Sequence, residues 1–123
     1  MTRVLIVDDE EIFRRLVRRY LEVRGFEVDE APDGIAALDL LEEQSYDWVI
    51  ADNKMPSLNG ISLLFVIKKA HPALRVALVS GHWTEEEMHL AKQHGAERVF
   101  VKSGTLLPRL HHILASAGFL HAS

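Results

Sequence analysis

Four short, almost wholly apolar runs recur along the chain: Val4–Val7, Trp48–Ala51, Val76–Val79 and Val99–Val101. Runs of this length, rich in β-branched residues, read as strands buried on both faces, which is the mark of a parallel sheet. The segments between them carry helical spacing. In the first, Ile12, Leu16, Tyr20 and Val23 share a face, and Gly25 marks its end. In the second, Ile35, Leu38 and Leu41 repeat at the same spacing. The third starts near Asn59, carries Leu63, Leu64 and Ile67, and ends before Pro72. The fourth opens with Thr84 followed by Glu87, a capping-box pattern, and closes at Gly95. The fifth runs from about Thr105 to Ala117, with Pro108 tolerated in its first turn. One more strand, Phe26–Glu30, alternates in polarity and is predicted near a sheet edge.

The order is β-α five times over, which predicts a doubly wound α/β sandwich with right-handed crossovers. A chain of 123 residues suits one domain, and 48% hydrophobic content supplies its core. The net charge of −4 argues against nucleic acid as a direct partner, because phosphate binding needs a basic face. With no cysteine, disulfides, zinc–thiolate sites and thiol nucleophiles are excluded. The apolar runs are strand-sized and no signal-peptide pattern opens the chain, so a cytoplasmic protein without membrane insertion is expected. Seven histidines suggest no defined metal site; His111 and His112 are adjacent on a helix and do not face one another.

In a doubly wound sheet, ligands bind beyond the carboxyl ends of the strands. Asp8 and Asp9 follow the first run, and Asp52 follows the Trp48–Ala51 run. Ser80 ends Val76–Val79 and Lys102 ends Val99–Val101. These polar residues come from four strands and are expected to converge on one small surface. Clustered carboxylates raise one another's pKa unless a cation joins them, and hard oxygen ligands suit magnesium. A lysine and a hydroxyl opposite the metal would complete a site for a phosphoryl group. Lys102 would neutralise one oxygen, Ser80 would donate to another, and Asp52 would be the nucleophile.

The ordered set Val7-Asp8-Asp9-Glu10, Asp33-Gly34, Asp52-Asn53-Lys54-Met55-Pro56 with Gly60, Ser80-Gly81, Gly95-Ala96 and Lys102 resembles the response-regulator receiver domain of two-component signalling. The likeness covers Arg3 to about Ala117. It implies a flavodoxin-like (βα)5 sandwich of strand order 2-1-3-4-5, in a single receiver domain over 1–123 with no effector domain in this chain. It implies that Asp52 is the phosphoacceptor and that Asp8 and Asp9 are the acid pair, Asp9 being the direct Mg2+ ligand. The backbone carbonyl of Lys54 would be a further ligand, Ser80 the mobile hydroxyl and Lys102 the invariant lysine. The implied partner is a sensor histidine kinase or phosphotransfer protein. The implied output is a shift of the fourth helix–fifth strand–fifth helix face, with a homodimer possible through it.

Two positions depart from the family pattern. Ser103 stands where a proline, often cis, follows the lysine, so a trans and more mobile loop is expected. Val99 stands where the family has an aromatic residue that rotates with the hydroxyl, and alternation points Phe100 to the opposite face. Lys54 and His82 flank the site, at positions where the resemblance implies that side chains influence the lifetime of the phosphoryl group. Arg14, Arg15, Arg18 and Arg19 put paired positive charges on the first helix, either as a solvated face or for docking a kinase. The alternative function is a non-phosphorylated, receiver-like protein-binding module. A haloacid-dehalogenase-like phosphohydrolase ranks last, because Lys54 stands where that chemistry needs a second aspartate.

Overall fold

In chain order the elements are β1 (Arg3–Val7), α1 (Glu11–Val23), β2 (Glu27–Ala31), α2 (Gly34–Glu43), β3 (Trp48–Asp52), α3 (Gly60–Ala70), β4 (Arg75–Ser80), α4 (Glu85–Gln93), β5 (Arg98–Val101) and α5 (Leu106–Ala122). They come from a computed structural model that describes the backbone of residues 1–122 and the side chains of residues 1–116. The strands are all parallel and lie in the order β2-β1-β3-β4-β5, the flavodoxin-like topology expected from the sequence. β3 is central and buried at every residue, whereas β2 pairs only with β1 and forms an edge.

Strand alternation divides the core in two. Leu5, Val49, Val76 and Leu78 face α2, α3 and α4, where they meet Leu41, Leu63, Leu64 and Ile67. Val4, Ile6, Ile50, Ala77 and Val79 face α1 and α5, where they meet Val17, Leu21, Leu110 and Leu114. Each large aliphatic side chain so buried contributes about 1.5–3 kcal/mol, and the two layers clamp the sheet between them. Local signals set the helix limits. Asn59 caps α3 by accepting from the Ser62 N–H, and Thr84 and Glu87 close the capping box of α4. Gly25 and Gly95 take φ of 93° and 97°, left-handed conformations that suit glycine after a helix.

The first helix corrects the sequence reading. Ile12, Leu16 and Val23 are 87%, 53% and 83% exposed, while Val17 and Leu21 are buried with Phe13 and Tyr20 packed beside them. α1 carries two apolar stripes, and the one seated on the sheet also brings Arg14 and Arg18 to Glu30 of β2. Arg14 Nε donates to Glu30 Oε1 at 2.8 Å, and Arg18 Nη1 donates to Glu30 Oε2 at 3.0 Å. Half of the supposed four-arginine surface is therefore structural, and Arg15 and Arg19 remain exposed. Ile35 of α2 likewise faces out, with Ala37 and Leu41 inward.

Burial raises the Glu30 pKa, but Arg18 and Arg14 outweigh it and hold the carboxyl below its ordinary value of 4.5. A depressed carboxylate stabilises the fold above its unfolded pKa, and that contribution fades as pH falls through the lower folded value. Glu30→Gln is therefore expected to cost about 1–3 kcal/mol in denaturant unfolding at neutral pH. The gap to the parent should shrink below about pH 4. An unchanged gap into acid would show that the pair contributes nothing.

Candidate functional site

The carboxyl ends of β1, β3 and β4 meet at one rim of the sheet, and each is pinned by its neighbours. Asp8 continues the β1 ladder, its N–H donating to Ala31 O at 3.2 Å. Its Oδ1 accepts from the Glu10 N–H at 2.8 Å, and its carbonyl accepts from Arg14 Nη1 at 2.8 Å. Asp52 ends β3, and the Asn53 N–H then donates to Val79 O at 2.8 Å. The loop turns back so tightly that the Gly60 N–H reaches Asn53 O at 3.2 Å. A Cβ on Gly60 would lie 2.8 Å from the Asp52 carbonyl oxygen and 2.9 Å from Asn53 Cα, so only glycine fits. The Lys54 N–H donates to Asp52 Oδ1 at 3.1 Å, and the Ile61 N–H to Asn53 Oδ1 at 3.1 Å.

Lys102 follows β5, its N–H bonded to Ser80 O at 2.9 Å. Its ammonium lies 2.8 Å from Glu10 Oε1, 2.9 Å from Asp8 Oδ2 and 3.3 Å from Asp52 Oδ2. It also sits 4.2 Å from the centre of the Phe13 ring, a cation–π contact. Carboxylate oxygens of Asp8, Glu10 and Asp52 lie within 4.8 Å of one another. Asp8 and Asp52 are buried, at 1% and 5% exposure. Asp8 Oδ2 is close to the ammonium yet has no hydrogen-bond partner.

Burial pushes the Asp8 pKa up, and the Asp52 charge adds to that, while the Glu10 N–H and Lys102 offset part of it. For Lys102, burial pulls the pKa down, but Glu10, Asp8 and Asp52 outweigh it and hold the ammonium above its ordinary range. Asp8, Glu10 and Asp52 thus surround one cation, leaving an all-oxygen donor set with excess negative charge and a buried oxygen, Asp8 Oδ2, that has the ammonium's charge beside it but no hydrogen bond. That set fits a hard divalent ion such as Mg2+.

Of the residues singled out from sequence, Asp8, Asp52 and Lys102 meet here. Ser80 ends β4 fully buried, but its hydroxyl is turned into its own loop, donating to His82 O at 2.9 Å and accepting from the His82 N–H at 3.3 Å. Asp9 is exposed and lies outside the acidic cluster, in which Glu10 takes part. The chain bends at Asp9, where the Glu10 N–H turns back onto Asp8 Oδ1, and the Glu10 carboxylate reaches the Lys102 ammonium at 2.8 Å. The Lys54 ammonium pairs with Glu87 of α4, whose carboxyl is lowered to about 2, first by Lys54 and then by the Thr84 N–H. His82 is exposed.

Val99 packs on the α2–α4 side of the sheet and Phe100 on the other, as alternation predicts. Trp83, which sequence reasoning passed over, packs in the same layer as Val99 and donates from Nε1 to Phe100 O at 2.8 Å. Among the described residues no peptide bond is cis, including the one before Ser103.

A family model described as the response regulator receiver domain matches residues 4–114. Chemotaxis protein CheY-3 of Vibrio cholerae is 35% identical over 106 residues, which cover 84% of this chain and 82% of that protein. Sensor kinase CckA of Brucella abortus is 40% identical over 81 residues, 64% of this chain and only 9% of the kinase's length. The response regulator protein TrrA of Thermotoga maritima, solved in complex with Mg2+ and BeF, matches at 29% identity. Its TM-score is 0.81, with 92% of this chain and 96% of that one covered.

Gly60→Ala tests the loop geometry. Because backbone atoms block the new methyl group, the variant is expected to lose about 1–3 kcal/mol of stability in denaturant melts. Its amide spectrum should change around Asp52 and Asn53. Wild-type stability would mean that the loop does not hold this close approach in solution.

Proposed function

The chain belongs to the response regulator receiver family, and on that premise we propose that it is a phosphorelay receiver in which Asp52 accepts a phosphoryl group with Mg2+ as cofactor. The observation that carries this reading is the Asp8–Glu10–Asp52 cluster around Lys102, with Asp8 Oδ2 left without a hydrogen bond. Asp8, Asp52 and the Lys54 carbonyl would hold the metal, and the cluster adds Glu10 as a candidate beside Asp9. When bound, Mg2+ supplies positive charge to the carboxylate and phosphoryl oxygens.

The chain's own residues do the rest. A carboxylate oxygen of Asp52 attacks phosphorus of a phosphohistidine, the P–N bond breaks, and the imidazole leaves with a proton. Lys102, shared among carboxylates at rest, neutralises a phosphoryl oxygen. Ser80 gives up its bond to His82 O to donate to another, and so draws the loop before α4 towards the site. That movement shifts the α4–β5–α5 face, which is also the surface for a homodimer. Val101, half exposed on the β5 edge, supports an apolar contact there. Return to the resting state is hydrolysis: water attacks phosphorus, the Asp52 O–P bond breaks, and inorganic phosphate leaves. Asp52 and Lys102 are thus catalytic residues of the protein's own phosphotransfer.

The donor is a sensor histidine kinase or phosphotransfer protein, met in the cytoplasm. Among the described residues no helix is long and apolar enough to cross a membrane. Docking fits α1, where Ile12, Leu16 and Val23 are exposed beside Arg15 and Arg19. An apolar stripe with a basic border suits a helical, acidic-rimmed partner.

Incubation with acetyl phosphate is expected to add one phosphoryl group by intact mass, only with Mg2+ and not in Asp52→Ala. Binding of a partner with no adduct under any condition would instead support a non-phosphorylated binding module. Ile12→Glu is expected to slow transfer from a phosphohistidine donor about tenfold, as loss of an interface anchor does. It should leave labelling by acetyl phosphate unchanged. Equal slowing with both donors would place the fault outside docking.

A further inference from the structure

Glu87 binds in two directions at once. Its Oε1 accepts from the Thr84 N–H at 3.0 Å, and Thr84 Oγ1 accepts from the Glu87 N–H at 3.0 Å, closing the capping box of α4. That motif uses one carboxylate oxygen and leaves the other free. Here Oε2 accepts from Asn53 Nδ2 at 3.2 Å and pairs with the Lys54 ammonium. Asn53 and Lys54 follow Asp52 directly, so the first turn of α4 is fastened to the loop that carries the acceptor.

Lys54 has two possible anions within reach. Its own N–H touches Asp52 Oδ1 at 3.1 Å, so its stem starts beside that carboxylate. At rest Asp52 already has Lys102, and Lys54 turns to Glu87. Phosphorylation replaces the single negative charge of the Asp52 carboxylate by an acyl phosphate that carries nearly two, and sets three acceptor oxygens at that spot. The ammonium then gains more from the dianion than from the single charge of one carboxylate.

We infer that Glu87 is a positioning residue: it parks Lys54 away from Asp52 at rest and releases it to the phosphoryl group, where the lysine obstructs attacking water. The inference rests on the receiver reading above. It assigns the lifetime of the phosphorylated state to competition between α4 and the acceptor loop for one ammonium. When Lys54 leaves, Glu87 keeps its cap bond to Thr84 but loses its strongest hold on the β3–α3 loop, so α4 is unfastened on that side.

Dephosphorylation after acetyl phosphate loading, followed by intact mass, tests this with Glu87→Gln, Lys54→Met and the double variant. Gln retains an oxygen for the Thr84 N–H, so the cap survives while the charge that holds Lys54 is gone. Glu87→Gln is expected to prolong the phosphorylated state about three- to fivefold, the range an ion pair of this exposure supplies. Lys54→Met should shorten it, Glu87→Gln should have no effect in the Lys54→Met background, and Lys54→Arg should restore the response. An equal effect of Glu87→Gln with and without Lys54, or none in either, overturns the inference and leaves the receiver reading standing. A wild-type protein that takes up no phosphoryl group overturns both.

Discussion

One ammonium ion holds the functional end of this molecule together. Asp8 and Asp52 are buried at the ends of neighbouring parallel strands, where their charges repel and burial penalises each. Removing ionised carboxylates from water costs several kcal/mol apiece unless a partner charge offsets it. Lys102 is that partner, and it reaches the rim only because β5 lies on the far side of β4 with its end in register with Ser80. Parallel topology is what permits this arrangement. Every strand delivers its last residue to the same edge, so acids from two strands and a base from a third need no long side-chain reach.

The cores are what make the convergence rigid. β3 is buried on both faces, so Asp52 cannot retreat without disturbing either layer. Gly60 lets the following helix approach the Asp52 carbonyl, and Asn53 ties that helix to the strand end through Ile61. On the other flank, Arg14 holds the Asp8 carbonyl while bonding Glu30, so an edge-strand acid indirectly fixes the first acid of the site. Stability and site geometry are therefore not separable here. The excess negative charge left over, three carboxylates against one ammonium, is an all-oxygen set of the kind that suits a hard cation.

Much of this was legible in the sequence, because the legible parts depend on local chemistry. Continuous apolar runs announced central strands, Asn59 and the Thr84/Glu87 pair announced helix starts, and acids after strands announced the site rim. What escaped depends on which of two locally equivalent choices the tertiary fold selects. α1 has two apolar stripes, and the tertiary contacts that seat Val17 and Leu21 on the sheet also pair Arg14 and Arg18 with Glu30. Asp9 and Glu10 are both acids close to Asp8, and the bend at Asp9 with the reach of Lys102 to Glu10 decides which joins the cluster. The bond of Trp83 and the second role of Glu87 escaped for another reason. Their partners, Phe100 O and the Asn53–Lys54 pair, lie 17 to 34 residues away and obey no spacing rule.

These long-range bonds bear on how an event at Asp52 is felt elsewhere. A ligand or modification shifts a conformational equilibrium only by its difference in interaction between the two states. Val99 is too small to rotate between two packings as an aromatic ring would, so side-chain rotation at β5 supplies little of that difference. The loop Ser80–Thr84 has other attachments: the Ser80 hydroxyl bonds His82 O, and the Trp83 indole bonds the β5 backbone at Phe100. Moving Ser80 towards Asp52 must break the first bond and load the second, because both belong to one short segment. The α4 cap follows immediately, at Thr84. A route through loop and helix cap needs no aromatic at position 99, and its energy scale is that of a few hydrogen bonds, about 0.5–1.5 kcal/mol each. That is enough to bias an equilibrium between two conformations by factors of several.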